Sequence, residues 1–144
     1  MHTTRTPTAL LAWLALLAGA AALPAAAAPP GDAARGRALL LQRQDTGCIL
    51  CHVVPGLPPG GALGPPLHDL GRRFARDELR QRIADSRRFN PDTIMPPYLS
   101  SEGLHNVARA QAGKTVLSEQ ALADIVAYLL APPTLGEGNG NGNR

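Results

Sequence analysis

The chain has 144 residues, 44% of them hydrophobic and 17% charged, with 15 Gly, 14 Pro, 2 Cys and a formal net charge of +3. That length accommodates one domain, and the aromatics Trp13, Phe74, Phe89, Tyr98 and Tyr128 make a thin core. A large enzyme with its own deep substrate cavity is excluded, as is a disulfide scaffold, and something other than side chains is expected to supply part of the apolar interior.

Residues 1–8 carry Arg5 as their one charged side chain, and Ala9 to Leu23 is apolar apart from Gly19. Ala25-Ala26-Ala27 then offers the small residues that a signal peptidase reads. The pattern predicts a Sec-type signal peptide over residues 1–27, cleaved after Ala27, and hence a periplasmic protein. The apolar run is broken by Pro24 and falls short of the roughly 20 residues a spanning helix needs, so no membrane span is expected in the mature form. No twin-arginine pair precedes the run, so export is expected unfolded, with any cofactor added outside. Losing residues 1–27 removes Arg5 and leaves 13 basic against 11 acidic groups, which gives no bulk-charge case for nucleic acid.

Residues 28–131 read as one domain of helices joined by Pro/Gly loops. Asp32 is placed to N-cap a helix from Ala33 to about Arg43, with Ala34, Ala38 and Leu41 on or near one side and Leu39 and Leu40 widening the apolar face. Gly36 inside that helix costs about 1 kcal/mol relative to Ala, which predicts that another backbone passes close by.

The chemistry is concentrated in Cys48-Ile49-Leu50-Cys51-His52. On a helical turn the two thiols and the imidazole stand at i, i+3 and i+4 and share one face. Two thiols can then reach the vinyl groups of a haem while the imidazole reaches its iron, and C-x-x-C-H is the attachment signature of a c-type haem. A thioredoxin-like dithiol would want a βαβ context, and a zinc site would need further ligands at usable spacing. The expected cofactor is therefore one covalently attached haem c, with Cys48 and Cys51 as thioethers and His52 as an axial ligand. Its porphyrin would also supply the apolar plate that the aromatics do not.

Residues 53–66 hold nine Gly or Pro in fourteen and are predicted to wrap around something as a loop. A second helix is expected over residues 76–88, with Leu79 and Ile83 four apart, ended by Asn90-Pro91. Residues 71–90 carry arginines at 72, 73, 76, 80, 82, 87 and 88 against Asp77, Glu78 and Asp85, a local balance of +4. This cluster reads either as a solvated face that also offsets the haem propionates or as a docking contact for an anionic partner. The arginines are not interleaved with stacking aromatics, so nucleic acid is not an expected partner.

Met95 is the one thioether left once Met1 departs, and Pro91, Pro96 and Pro97 stiffen its surroundings into a loop. By elimination Met95 becomes the second axial iron ligand, with core packing as the alternative; His68 and His105 read as ordinary surface or loop histidines. Iron held by His and Met has no open coordination site, which points to electron transfer rather than to O₂ or peroxide chemistry. A short helical stretch is expected from about Gly103 to Gln111. Ser118 then caps the clearest helix, with Leu122, Ile125, Val126 and Leu129 at i, i+3, i+4 and i+7 and Pro132-Pro133 as its stop. The Gly/Asn tail, residues 132–144, lacks apolar periodicity and is expected to be disordered. No run alternates as a strand does, so the fold class is all-α.

The order G-D-A-A-R-G-R-A-L-L, C-I-L-C-H, G-P-P-L, a Met loop and A-D-I-V-A-Y-L resembles class I cytochrome c along nearly all of residues 31–131. The resemblance implies a single class I fold around one covalent haem, with first and last helices crossing so that Gly36 meets Tyr128. It also implies that the Pro65 carbonyl accepts a hydrogen bond from Nδ1 of His52. Leu40 stands where the family usually carries an aromatic.

Three further segments, residues 53–67, 78–98 and 101–118, resemble the SoxX family, the small cytochrome subunits of SoxAX sulfur-oxidation complexes; the insertion at 101–118 is the most telling. The resemblance implies a heterodimer with a SoxA-type subunit, which the arginine cluster would contact, and action on a SoxYZ-type carrier through that complex. The complex joins the sulfane sulfur of thiosulfate to a carrier cysteine, as an L-cysteine S-thiosulfotransferase. The implied role here is to accept electrons and pass them to a downstream cytochrome c, without catalysis by this chain alone. The class I pattern by itself also fits a freely diffusing electron carrier.

Overall fold

The computed structural model describes residues 29–131. The expected signal peptide, the Pro132-Pro133 stop and the Gly/Asn tail lie outside the described residues. Within them the elements are α1 (Ala33–Leu40), α2 (Cys48–Cys51), α3 (Leu70–Arg73), α4 (Arg76–Ala84) and α5 (Glu119–Leu130), with 3-10 turns at Ser86–Arg88 and Arg109–Gln111. No strand occurs among the described residues, in keeping with the all-α expectation.

α1, α3 and α4 all pack against α5. Ser118 caps it, its side chain accepting from the N–H of Ala121, and Leu122, Ile125, Val126 and Leu129 are all buried at the predicted spacing. Full burial of such side chains is worth about 1.5–3 kcal/mol each, which outweighs the modest intrinsic propensity of a 12-residue helix. The core continues through Leu40, Ile49, Val54, Leu70, Leu79, Ile83, Tyr98 and Leu117.

α1 packs across α5 at the position its glycine predicts. A Cβ on Gly36 would land on the backbone of Asp124, so the two main chains touch. This backbone supplies the nearest atoms, and Tyr128, one turn further along α5, donates through its hydroxyl to the Pro55 carbonyl at 2.8 Å and ties α5 to the loop. The buried line of α1 is accordingly Gly36 and Leu40, while Ala34 and Ala38 face solvent. Those alanines stand two residues from Gly36, about 200° around the helix, and so cannot share its face.

Asp124 is the buried acid of this crossing, its side chain 4% exposed. It accepts from Arg35 Nε at 2.8 Å and Nη2 at 2.9 Å, from the N–H of Asp32 at 2.8 Å and from Gln120 Nε2 at 2.9 Å. Chiefly the Arg35 hydrogen bond, against the opposing effect of burial, lowers the Asp124 pKa to about 2.

Three predicted boundaries shift for local reasons. α1 stops at Leu40 instead of Arg43 because Thr46 folds back and donates to the carbonyls of Leu39 and Gln42. The helix expected over 76–88 breaks at Asp85, whose backbone is extended and whose carboxylate accepts from the Arg87 N–H, an aspartate competing with the helix for backbone partners. The stretch 103–111 keeps one 3-10 turn only, and α3 was not foreseen.

Candidate cofactor cavity

The C-x-x-C-H residues occupy one short turn. Cys48 to Cys51 is helical, and His52 is its extended C-cap residue rather than the next helical position, held by its N–H to the Cys48 carbonyl at 3.0 Å. The face is thus shared by two thiols on a helix and an imidazole leaving its end. Both cysteines are free thiols and half-buried. Burial, above all, raises the Cys48 pKa.

The Pro/Gly loop wraps this turn itself. Gly61 N–H donates to Ile49 O at 3.0 Å, Gly64 N–H to Cys51 O at 2.8 Å and Leu67 N–H to Val53 O at 2.8 Å. A Cβ on Gly60 or Gly61 would strike the backbone of His52 or Leu50, and one on Gly64 would strike the His52 ring. The loop therefore lies closer to the motif than any side chain would permit.

The wrapping also sets the state of the imidazole. His52 Nδ1 lies 2.7 Å from the Pro65 carbonyl oxygen. A carbonyl only accepts, so Nδ1 carries a proton, and in the neutral ring Nε2 is then the nitrogen with the lone pair that a metal requires.

Cys48, Cys51, His52 and Met95 line one cavity of about 450 Å³, whose walls include Leu40, Leu70, Phe74, Leu79, Ile83, Tyr98, Ile125 and Leu129. Pockets that bury small molecules and cofactors run from about 300 to 1,000 Å³ with mostly apolar walls. The large interior apolar group expected from the thin core has a place here. Among the described residues no group of three or more His, Cys, Asp or Glu side chains gathers to hold a metal ion unaided. The donor set suits a metal that brings its own equatorial ligands, and the two thiols, the Nε2 lone pair, the thioether and the apolar walls all fit a haem c.

Of the arginine cluster, Arg73 and Arg82 reach the cavity. Arg82 donates to Glu78 at 2.9–3.0 Å and stacks between Phe74 and Phe89, 4.7 and 4.3 Å from their ring centroids, while Arg73 lies 5.2 Å from Phe74. Arg87 grips Asp85 and Arg80 pairs with Glu119 on α5. Much of the +4 cluster is thereby structural. His68 and His105 are exposed, and neither lines the cavity.

Sequence reasoning passed over the groups that hold the Met95 side of the cavity. Tyr98 is buried and donates to the Thr46 carbonyl at 2.7 Å, joining the Met segment to the cysteine turn, while Ser86 and Thr93 bond the Met95 backbone. Single hydroxyls carry no periodicity, and their one sequence signal was proximity to Met95.

Helix order, the α1–α5 crossing and this cavity define the all-α cytochrome c fold. No family model and no curated protein matches the chain. It is similar to a chain in the crystal structure of SoxXA from P. pantotrophus, at 25% identity and a TM-score of 0.62, covering 71% of this chain and 82% of that one. No helix among the described residues is long and apolar enough to cross a membrane.

Proposed function

We propose that this chain is an exported c-type cytochrome that serves as the electron-accepting, SoxX-type subunit of a SoxAX complex, with residues 1–27 as signal peptide and 28–131 as the cytochrome domain. The observation that carries the reading is the convergence of Cys48, Cys51, His52 and Met95 on one apolar cavity. The likeness to SoxXA in fold and identity supports the particular subunit.

When bound, the haem supplies a one-electron redox centre. Cys48 and Cys51 would tether it through thioether bonds, and His52 would present Nε2 while Pro65 fixes its ring. Met95 would offer the soft sulfur that favours ferrous iron and raises the potential. The aliphatic walls would keep water from the metal, and Arg73 and Arg82, which line the cavity, would offer charge to the acidic substituents of the macrocycle.

Forming an S–S bond between a carrier thiolate and the sulfane sulfur of thiosulfate releases two electrons. A subunit holding one haem would take them in two one-electron steps, or share them with a second redox centre, and would pass them to a downstream cytochrome c, while bond formation would belong to the SoxA-type partner.

The test is to express the tagged chain in its host growing on thiosulfate, purify it gently and stain for covalent haem. Two haem-positive bands in equal amounts are expected. One band, persisting at low salt, would replace the subunit reading with that of a freely diffusing carrier. In the purified protein Met95→Ala should lower the reduction potential and remove the weak far-red band of thioether-ligated ferric haem; an unchanged spectrum would refute the ligand assignment.

A further inference from the structure

Met95 lies in a segment without helical hydrogen bonds, yet both of its main-chain polar groups are taken by side-chain hydroxyls. Ser86 Oγ donates to the Met95 carbonyl at 3.2 Å, and Thr93 Oγ1 accepts from the Met95 N–H at 3.2 Å. The residues that follow, Pro96 and Pro97, have no N–H to contribute. The next anchor downstream is Tyr98, bonded to Ala84 through its N–H at 3.0 Å and to Thr46 through its hydroxyl at 2.7 Å.

Upstream, a single turn bond from the Thr93 N–H to Asn90 O at 3.2 Å sets the position of the Thr93 hydroxyl. Ser86 is fixed from the other direction. It opens the 3-10 turn that the Asp85 carboxylate caps, and Arg87 of that turn is held to Asp85 at 2.6 Å and to the Glu102 carbonyl at 2.8 Å. The break in the helix at Asp85 therefore has a use, since it brings a hydroxyl to the Met95 carbonyl.

We infer that Ser86 and Thr93 are positioning residues that clamp the Met95 backbone and hold its thioether in the cavity against displacement by a competing ligand. The inference rests on the reading of Met95 as an iron ligand. It adds that the ligand is retained by two hydroxyls outside the C-x-x-C-H motif, one supplied by the α4 side and one by the loop itself.

The experiment titrates imidazole, a small competing ligand, into the ferric holo-protein and follows loss of the far-red band. Displacing Met95 requires its loop to move, so each lost hydrogen bond should raise the apparent imidazole affinity about fivefold in Ser86→Ala and in Thr93→Val, and more than tenfold in the double variant. Ser86→Thr, which keeps the hydroxyl, should stay within twofold of the parent. Affinities for both single variants within twofold of the parent would overturn the clamp. Ser86→Ala removes one oxygen from a half-buried site and keeps the test decisive should Thr93→Val fail to fold. A parent without the band, together with Met95→Ala binding imidazole no more tightly, would instead refute the ligand reading itself.

Discussion

Two irregular segments, residues 53–66 and residues 101–116, differ in how closely their glycines approach the rest of the fold. In the first, Gly60, Gly61 and Gly64 stand where a Cβ would collide with the C-x-x-C-H turn, and the main chain donates into that turn. In the second, a Cβ at Gly113 would meet nothing within 4 Å, and the bonds from Gln111 to Ala108 and from Lys114 to Gln111 stay within the segment. Leu104, Val107 and Val116 are exposed there, and the Arg87 side chain reaches the Glu102 carbonyl from outside. Gly60, Gly61 and Gly64 thus permit close approach, whereas Gly113, like Gly56 in the first segment, permits a left-handed turn with φ of +73°.

The close-approach kind includes Gly36, and it should give the largest effect. Gly36→Ala places a methyl on the Asp124 backbone, which cannot swing aside, so the holo-protein should lose about 3 kcal/mol in urea unfolding, at the upper end of overpacking costs. Gly64→Ala meets a ring instead of a backbone and should cost less stability. Its effect should appear in the visible spectrum, because the His52 bond to Pro65 must yield. A loss below about 1 kcal/mol for Gly36→Ala would show that α1 and α5 separate easily and would erase the distinction between the two glycine classes.

The same contrast marks what could be read in the sequence. The last helix, the capping residues Asp32 and Ser118 and the motif turn were legible because period, cap chemistry and short spacing are local properties. Gly36 announced a close neighbour but not which one; its nearest atoms are those of the Asp124 backbone. Ala34 and Ala38 were assigned to the buried face because alanine fits either side of a helix. The Asp124 ion pair and the Tyr98 bond to Thr46 escaped notice because their partners are set by tertiary placement, 89 and 52 residues apart, and the hydroxyls on Met95, nine and two residues away, because no period or cap pattern marks them.

Asp124 should have the next largest effect, and pH separates it from the glycines. Its folded pKa, about 2, lies below the ordinary 3.8. The ionised, bonded form therefore adds stability that is fully present above about pH 4 and lost as pH falls toward 2. Asp124→Asn should lower stability at pH 7 by less than Gly36→Ala does, since Arg35 is more than half exposed and water screens the pair. Parent and variant should converge near pH 2, with part of the acid slope remaining because Asp85 is also held low, chiefly by Arg87. Parallel stability curves from pH 7 to 2 would remove Asp124 as the source of the acid sensitivity, whereas a Gly36→Ala deficit should persist throughout.

The smallest effects belong to the 101–116 segment, where they discriminate most finely between the two uses of glycine. Gly113→Ala should cost about 1 kcal/mol, since an L side chain is strained at positive φ although the space around it is open. Val107→Asn should change stability by less than about 0.5 kcal/mol, because the residue is 40% exposed and outside the core. If Gly113→Ala were as costly as Gly36→Ala, the segment would have to be packed against the body, and its exposed valines and leucine would then resist substitution as well. If both changes were silent, the turn at Gly113 would be free to adopt another φ, and the segment would be held to the fold by its two ends alone.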